Sequence, residues 1–321
     1  MGLGQASEGQ HAKLTFVASV LGSSRVLYSE PMSRHTSFRI GGPCDLLVMP
    51  DDPLDAVKAY AACREQSIPC RVIGNGTNLL VRDGGFRGCL IKMAPGASGI
   101  ESIDDSSLRV ASGTLLPSLV QFALSQGLSG LEWATGIPGS VGGAVAMNAG
   151  AYGGDFASLV RRVQVGMPDG KIAWMDSHEI GFGYRHSIFT ERDDLLVLGA
   201  DIRLTPGDRN AIREVMVKRA KEREAKQPLD MPSAGSAFRR PQGRYVGAMI
   251  EELGLKGARI GGAQVSAKHA GFIVNTGNAS SKDVEDLLNL VKAKVKEHFD
   301  VDLEPEIVVL GEDAPAVPQD E

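Results

Sequence analysis

The sequence contains little cysteine, no long apolar run and no basic excess. Its 321 residues include four cysteines, and these form no Cys-x-x-Cys pair and no zinc-like spacing with histidine. We therefore expect reduced thiols, with neither a disulfide framework nor a metal site. No apolar segment approaches the ~18 residues of a membrane-spanning helix. The net charge of −5 argues against a nucleic-acid binder. A globular, cytoplasmic protein without an obligate protein partner is expected.

The common nucleotide-binding motifs are also absent. Gly74 and Gly76 follow a predicted strand, as in a Rossmann loop, but Leu79 stands where the third glycine is required. The next residues are strand-like, whereas a Rossmann motif must begin a helix. No Gly-Lys-Ser/Thr of a Walker motif occurs. These absences argue against a Rossmann or P-loop fold.

Short apolar runs alternate with glycine-rich turns from residue 38 to about 204. This pattern predicts strands over 46–49, 71–73, 90–93 and 108–111. Helices are expected from Pro53 and over 116–125, the second one ended by Gly127. Met167-Pro168-Asp169-Gly170 predicts a hairpin turn between 163–165 and 172–174.

The pattern changes near Thr205-Pro206-Gly207-Asp208, where a highly charged helix over 210–226 is predicted to follow. Apolar spacing predicts further helices around 246–253 and over 281–299, and strands over 271–275 and 307–310. We predict a variable N-terminal segment (1–24, in which 14–21 form helical turns), a first domain (25–206), a second domain (207–312) and an acidic tail (313–321).

Two glycine-rich segments differ from ordinary turns. In the first, 74–79, inward backbone N–H groups together with Asn and Thr side chains suit phosphate binding, although a plain β-turn is the alternative. The second, 132–154, combines many glycines with almost no charge, which suits backbone lying against a flat ligand. A glycine-rich helix packed closely on another element is the alternative there.

Six motifs in register resemble the UDP-N-acetylenolpyruvoylglucosamine reductase family, over roughly residues 30 to 312. They are Arg39-Ile40-Gly41-Gly42, Gly74-Asn75-Gly76-Thr77-Asn78-Leu79-Leu80, Gly136-Ile137-Pro138-Gly139-Ser140-Val141-Gly142-Gly143, Tyr184-Arg185-His186-Ser187-Ile188-Phe189, Gly235-Ser236-Ala237-Phe238 and Gly261-Gly262-Ala263-Gln264-Val265-Ser266. The resemblance implies an α+β protein. Its FAD-binding fold of the vanillyl-alcohol-oxidase type consists of two α/β subdomains and is followed by a C-terminal α+β substrate-binding domain.

The resemblance also implies an activity and its cofactors. NADPH would reduce noncovalently bound FAD, and the enzyme would convert UDP-N-acetylglucosamine enolpyruvate to UDP-N-acetylmuramate in peptidoglycan precursor synthesis. The residues implied in FAD binding are Arg39, Gly74, Asn75, Gly76, Thr77, Asn78, Leu79, Gly136, Ile137, Pro138, Gly139, Ser140, Gly142, Gly143, Met147, Asn148 and Gly150.

Three residues match the catalytic positions of the family. Reduction of an enolpyruvyl ether places extra negative charge on its carboxylate and requires a proton at the α-carbon. Arg185 suits the carboxylate, because guanidinium binds it through two donors. Ser236 matches the proton donor, and Glu306 matches a carboxylate that orients Arg185 or a water, or favours protonation.

Substrate contacts follow from the same resemblance. Tyr184 and Lys226 are expected to bind substrate, Lys226 at the diphosphate, although Lys226 also suits a solvated helix end. Arg240 stands where the family more often has asparagine, and Tyr245 is a weaker candidate for substrate contact. No insertion supplies a tyrosine loop, which indicates the shorter variant of the family.

Two other functions remain open from the residues. The first is another FAD oxidoreductase of the same fold, acting on a hydroxy acid or a sugar. No Cys or His occurs in 136–154, so covalent flavin attachment there is not expected. The second is a nucleotide-binding regulatory module, against which the presence of Arg185, Ser236 and Glu306 in matching contexts argues.

Overall fold

The computed structural model describes residues 3–21 and 24–314, and side chains from residue 9 onward. Most of the predicted acidic tail, from residue 315, lies outside the described residues, as do residues 1, 2, 22 and 23 of the predicted N-terminal segment. No helix of the described chain combines the length and apolar character needed to cross a membrane.

Helices are distributed along the whole described chain. They are α1 (Leu3–Ser19), α2 (Pro53–Glu65), α3 (Leu116–Gln126), α4 (Val141–Ala146), α5 (Ile188–Glu191), α6 (Arg209–Lys226), α7 (Val246–Glu252) and α8 (Ser281–Phe299), with 3-10 turns at Met32–Arg34, Glu132–Ala134 and Ser177–Glu179.

The strands are mostly short. They are β1 (Arg25–Pro31), β2 (Pro43–Met49), β3 (Cys70–Ile73), β4 (Leu79–Val81), β5 (Phe86–Lys92), β6 (Ile100–Ser102), β7 (Ser107–Ala111), β8 (Leu128–Ser129), β9 (Gly150–Ala151), β10 (Gly154–Asp155), β11 (Val160–Gly166), β12 (Ile172–Asp176), β13 (Leu196–Arg203), β14 (Thr205–Pro206), β15 (Ser233–Ser236), β16 (Arg259–Ile260), β17 (Ala263–Val265), β18 (Phe272–Asn275) and β19 (Val308–Leu310).

Local sequence signals correctly predicted several of these elements. Asp52 caps α2, its side chain accepting a hydrogen bond from the backbone of Leu54. Gly127 ends α3 in the left-handed conformation, where glycine carries no Cβ penalty. The predicted hairpin joins β11 to β12 through a turn with Gly170 at φ +84°. The helix expected over 14–21 begins earlier, at Leu3.

The chain divides into two compact units, each assembled from separate stretches. The first contains the described residues up to Tyr28 together with Asp45–Asn75 and Gly88–Lys221, and the second contains Ser29–Cys44, Gly76–Arg87 and the described residues from Glu222 onward. In the first unit, an antiparallel sheet has the order β12-β11-β13-β7-β6. Its core includes the fully buried Leu108, Leu116 and Phe156.

A second sheet has the order β1-β2-β5-β3 and includes the parallel pair β3 and β5. Residues Leu46, Val48 and Ile91 of this sheet pack with α2 in a separate apolar cluster. Burial of each such side chain contributes about 1.5–3 kcal/mol to folding.

The second unit contains an antiparallel sheet of order β15-β18-β17-β16 and a parallel pair, β4 and β19. α8 buries its apolar stripe, including Val284, Leu287 and Val291, in the core of this unit. Ser280 caps α8 and forms a reciprocal capping box with Asp283, which is why the helix begins where the periodicity predicted.

A buried carboxylate lies on the five-stranded sheet of the first unit. Asp201 is 5% exposed and accepts hydrogen bonds from Arg109 at 2.9 Å and 3.0 Å and from Arg162 at 2.8 Å. Both guanidinium groups also lie against the ring of Trp174, at 5.0 Å and 4.3 Å. Burial raises the pKa of Asp201, but the bonds from the two arginines outweigh it and hold the pKa below its ordinary value.

Three of the four cysteines converge in the first unit. Cys63 of α2, Cys70 of β3 and Cys89 of β5 place their Sγ atoms within 4.8 Å of one another. Hydrogen bonds from Cys70 and then Cys89 lower the pKa of the Cys63 thiol, and the contact with Cys63 raises the pKa of Cys89.

Candidate active site

The end of β3 lies against the start of α4 in the first unit. A Cβ at Gly74 would stand 2.5 Å from Ser140 Oγ, so a residue with a side chain does not fit without a shift. Ser140 is 1% exposed and caps α4, its Oγ accepting a hydrogen bond from the backbone N–H of Gly143 at 3.5 Å. The Asn75 side chain donates to the Pro138 carbonyl at 2.7 Å. The first two residues of the 74–79 loop are therefore held against the 136–143 segment.

The 136–143 segment is held by backbone contacts with residue 112, which follows β7, and with the start of α3. Gly142 N–H donates to the Ser112 carbonyl at 2.8 Å, and Leu116 N–H donates to the Gly139 carbonyl at 2.9 Å. A Cβ at Gly142 would lie 2.9 Å from Ser112 Cβ. Glycine is required here because two backbone segments approach closely, and α4 forms the second half of the segment.

Buried polar atoms without a partner surround this segment. Ser112 Oγ, Thr135 Oγ1 and Trp133 Nε1 are buried and form no hydrogen bond within the described structure. A buried polar group without a partner costs about 1–3 kcal/mol. Glycines lie beside these groups, so the adjacent backbone carries no side chain that would block a ligand. The buried hydroxyls and the indole N–H are donors that a polar ligand can satisfy.

The Arg185 turn is tied to the end of α4 by three hydrogen bonds. Ser187 Oγ donates to the Ala146 carbonyl at 2.6 Å, and the Asn148 side-chain amide donates to the Gly183 carbonyl at 2.8 Å. Arg185 Nη2 donates to the Gly150 carbonyl at 3.1 Å. The predicted residues Asn148, Gly150 and Arg185 are thus brought together in this unit.

Asn148 and Arg185 both have unusual backbones. Asn148 has φ +40° and Arg185 has φ +53°, a region that non-glycine residues rarely adopt. The Asn148 side chain is 5% exposed and also accepts from Ala157 N–H at 2.9 Å, so its amide bonds are made within the protein. Tyr184 is 57% exposed, and the Arg185 guanidinium lies 5.3 Å from its ring. This turn is specified by its hydrogen bonds.

The second unit positions its own glycine motif by close packing. A Cβ at Gly42 would lie 2.0 Å from the Asp83 carbonyl oxygen, and one at Gly76 would lie 2.1 Å from the His35 carbonyl oxygen. Arg39 has φ +56° and is exposed. The 39–42 motif and the 76–79 residues therefore lie beside neighbouring backbone segments of the same unit, and no side chain is tolerated at these glycines.

Asn78 links the 76–79 residues to the chain near Glu306. Its side-chain amide donates to the Glu306 carbonyl at 3.0 Å, and its own carbonyl accepts from Val308 N–H at 3.0 Å. These bonds precede the parallel pair in which Leu79 is opposite Val308. The predicted strand over 307–310 is found as β19, and its pairing with β4 fixes the position of Glu306.

Ser236 and Glu306 lie on adjacent segments of the second unit. Ser236 ends β15 opposite Phe272, and its side chain is exposed. Glu306 N–H donates to the carbonyl of Ala237, the residue after Ser236, at 2.9 Å. Gly235, with φ +78°, supplies the turn that precedes Ser236. Two residues separated by seventy positions in the sequence therefore lie on neighbouring segments of the folded chain.

The remaining predicted substrate residues of the second unit lie at its surface. Lys226 is exposed at the end of α6. Arg240 is exposed, and its guanidinium lies 3.8 Å from the ring centroid of Tyr245, which is 64% exposed. A cation on an aromatic face at an exposed position contributes about 0.5–1 kcal/mol.

The sequence did not single out Ser112 or Thr135, although Thr135 lies within the predicted segment 132–154. Ser112 follows a strand directly and is separated by almost thirty residues from the glycine segment it contacts, so no local pattern indicates it. Thr135 precedes Gly136, but an isolated threonine beside a glycine carries no distinct signal. Their significance depends on burial without a partner, which only the structure provides.

Comparisons with known proteins also divide the chain into two parts. The family model described as "FAD binding domain" matches residues 44–176, and the model for the C-terminal domain of UDP-N-acetylenolpyruvoylglucosamine reductase matches residues 227–310. A UDP-N-acetylenolpyruvoylglucosamine reductase of Syntrophomonas wolfei is 48% identical over 90% of this chain and 96% of its own length. The protein of the same name from Clostridioides difficile is 43% identical over 92% of this chain and 96% of its own.

A solved structure agrees with these matches. The crystal structure of UDP-N-acetylenolpyruvylglucosamine reductase from Thermus caldophilus has a TM-score of 0.75 and is 36% identical, over 90% of this chain and 99% of its own. The prediction of a vanillyl-alcohol-oxidase-type FAD-binding fold followed by a C-terminal substrate-binding domain is confirmed.

The first unit fits a flavin cofactor on its own geometry. Ser112 and Thr135 offer buried hydroxyls without a partner, and Gly74 and Gly142 keep the adjacent backbone free of side chains. A planar ligand with polar edges requires both features.

Proposed function

The chain belongs to the UDP-N-acetylenolpyruvoylglucosamine reductase family, and from this premise we propose that it reduces UDP-N-acetylglucosamine enolpyruvate to UDP-N-acetylmuramate. Its FAD-binding domain makes it an FAD-dependent oxidoreductase. NADPH is the proposed hydride donor, and peptidoglycan precursor synthesis is the proposed pathway. The observation that carries the proposal is 48% identity to a relative of that name over 96% of its length.

Bound FAD would supply hydride transfer between NADPH and the substrate. In the first unit we assign cofactor binding to Gly74, Asn75, 136–143 and 147–150. Residues 76–79 and Arg39 of the second unit belong to the same assignment. The matched model over residues 44–176 and the unpartnered hydroxyls of Ser112 and Thr135 support the part in the first unit. We add these two hydroxyls to the cofactor-binding residues.

Arg185 binds the enolpyruvyl carboxylate in this proposal. Charge that accumulates on the carboxylate during reduction is stabilised by the positive charge of the guanidinium. Its bond to the Gly150 carbonyl uses one donor and holds the side chain in place, which reduces the entropy lost on substrate binding.

Ser236 delivers a proton to the α-carbon, and Glu306 favours that step. A serine hydroxyl is a weak acid and transfers a proton only to a strong base. The α-carbon, which carries enolate charge, is such a base. The hydrogen bond between Glu306 N–H and the carbonyl of Ala237 supports a shared role for the two residues. Glu306 can then orient the hydroxyl or a water that reprotonates it.

Tyr184, Lys226 and Arg240 are assigned to the substrate. Lys226 and Arg240 are exposed cations suited to a UDP diphosphate, and the Arg240 guanidinium is supported by Tyr245. A UDP-sugar is the proposed small-molecule partner, with a cytoplasmic location and no obligate protein partner. The domain limits 25–206 and 207–312 stay predictions, because each compact unit also contains short stretches from elsewhere in the chain.

Product analysis tests this function. Protein as purified is incubated with NADPH and the enolpyruvyl nucleotide, and the nucleotide is analysed by mass spectrometry. We expect a gain of two hydrogens and one NADPH oxidised per product. UDP-N-acetylglucosamine, which lacks the enolpyruvyl group, is the matched control and should be unchanged. NADPH oxidation without formation of the reduced nucleotide would contradict the proposal.

A further inference from the structure

The cysteine cluster of the first unit is not used by the proposed reaction. Cys63 and Cys89 are completely buried, and Cys70 is partly exposed. Cys70 and Cys89 are direct partners in the parallel pair of β3 and β5, so their side chains leave the same face of the sheet. α2 packs on that face and supplies Cys63. The cluster therefore depends on strand register, and the intervals of six and eighteen residues between the cysteines give no local sign of it.

The three sulfur atoms are spaced as metal ligands require. Because all three lie within 4.8 Å of one another, some point lies within about 2.8 Å of each, and a metal–thiolate bond is about 2.3 Å long. Each sulfur would need to move by about half an ångström to bind an ion at that point. Rotation about the side-chain bonds provides a movement of this size without a change in the backbone.

The surroundings select the type of ion. The apolar cluster that contains the three cysteines also includes the buried Ile68, Ile91 and Met93. No histidine or carboxylate of the described chain joins the three thiols as a fourth ligand. Structural zinc sites are almost always tetrahedral with four protein ligands. Soft thiolate ligands also select Cu(I), which accepts three sulfur ligands in a plane and does not require water.

We propose that Cys63, Cys70 and Cys89 form a three-thiolate site for Cu(I). Three copper–sulfur bonds form, each thiol that ligates as thiolate releases its proton to solvent, and copper and sulfur keep their oxidation states. Cys70, being partly exposed, is the first thiol that an incoming ion meets. The site is independent of the proposed reductase activity.

A competition titration tests the site. The purified protein with its flavin is titrated anaerobically with Cu(I) held by bicinchoninate, whose coloured complex fades when the protein takes the ion. We expect one equivalent to be withdrawn, with thiolate-to-copper absorption in the near ultraviolet. Cys63→Ala and Cys89→Ala should lower the affinity at least a hundredfold. Cys44→Ala, at a buried cysteine outside the cluster, is the matched control and should bind as the parent does.

Three results would overturn the proposal. The first is no withdrawal of Cu(I) by the parent protein, and the second is equal withdrawal by Cys63→Ala. The third is Zn²⁺ displacing Cu(I) at the same stoichiometry, which would indicate a fourth ligand. If the alanine variants fail to fold by circular dichroism, X-ray absorption of the copper-loaded parent decides. Three sulfurs near ~2.3 Å support the site, and a shell containing nitrogen or oxygen excludes it.

Discussion

The glycine-rich segment 132–154 and the region around Ser236, which we assign to cofactor and substrate, differ in how their residues are packed. In the first, close backbone packing and buried hydroxyls define the geometry, and the contributing side chains are few. In the second, Ser236 and Arg240 are exposed side chains at the end of an edge strand and in a loop. Changes in the first region should therefore affect folding and flavin retention together. Changes in the second should alter turnover alone.

This difference has a consequence for each substitution. A Cβ added at a packed glycine displaces the neighbouring backbone, and this displacement disturbs the hydrogen bonds that the backbone makes. Removal of an exposed hydroxyl is expected to change the stability of the fold little. Stability and activity therefore report on different regions of the molecule.

Ser236→Ala should cause the largest change in activity. Loss of the proton donor is expected to slow reduction of the enolpyruvyl nucleotide by roughly 10²–10⁴-fold, with NADPH consumption of the first half-reaction and thermal stability unchanged. Stopped-flow absorbance measures both half-reactions. Ser233→Ala, in the same strand, is the control and should turn over normally. Loss of flavin from Ser236→Ala would show that the contrast between the regions is wrong.

Gly74→Ala should affect flavin retention. The new Cβ meets Ser140 Oγ at 2.5 Å, which disturbs the cap of α4, and we expect at least tenfold weaker FAD binding and about 1 kcal/mol lower stability. Flavin fluorescence on dilution measures the affinity. Gly99→Ala has nothing within 4 Å and is the control. A Gly74→Ala protein as yellow as the parent would argue against close packing here.

Arg185→Lys should lower activity less than Ser236→Ala does. A lysine cannot bind a carboxylate through two donors, and its shorter reach does not preserve the bond to the Gly150 carbonyl. We expect roughly tenfold lower kcat/KM for the enolpyruvyl nucleotide, measured by steady-state kinetics. Arg192→Lys alters a surface ion pair with Asp194 and is the control. Equal kcat/KM in Arg185→Lys and the parent would remove Arg185 from the proposed mechanism.

Asp201→Asn should change stability without changing turnover. The lowered pKa means that the carboxylate stabilises the fold fully above its unfolded pKa near 3.8 and loses this effect as pH falls through the folded value. With the two arginines partly exposed, we expect a loss of about 1–2 kcal/mol at pH 7. Thermal unfolding from pH 7 to pH 3 measures it, and the difference between variant and parent should shrink at low pH. A difference independent of pH would exclude the ion pairs as its cause.

Local signals in the sequence predicted much of the fold. Pro53, Gly127 and Met167–Gly170 indicate a helix start, a helix end and a turn through contacts over a few residues, and the corresponding elements are found where expected. Pairings over long separations were not predictable. The parallel pairs of β3 with β5 and of β4 with β19 depend on packing of the whole chain, and they determine the cysteine cluster and the position of Glu306.

The residues of the candidate site differ in the same way, since local sequence could predict some of them and not others. Gly74 and Gly142 could be singled out because unusual glycine content indicates close backbone approach, and the structure places both in such contacts. The roles of Arg185, Ser236 and Glu306 came from resemblance alone, since one arginine, serine or glutamate in a loop carries no distinct pattern. Ser112 and Thr135 could not be found from sequence, because their missing partners are a property of the folded chain.

An anaerobic flavin spectrum directly tests the proposed reduction of the enolpyruvyl nucleotide by the FAD-dependent enzyme. The purified protein is reduced with one equivalent of NADPH and then mixed with UDP-N-acetylglucosamine enolpyruvate. We expect NADPH to bleach the oxidised flavin bands and the enolpyruvyl nucleotide to restore them rapidly in the parent but not in Ser236→Ala. Bands that stay bleached in the parent would contradict the proposed substrate, and a protein that holds no flavin would contradict the cofactor site.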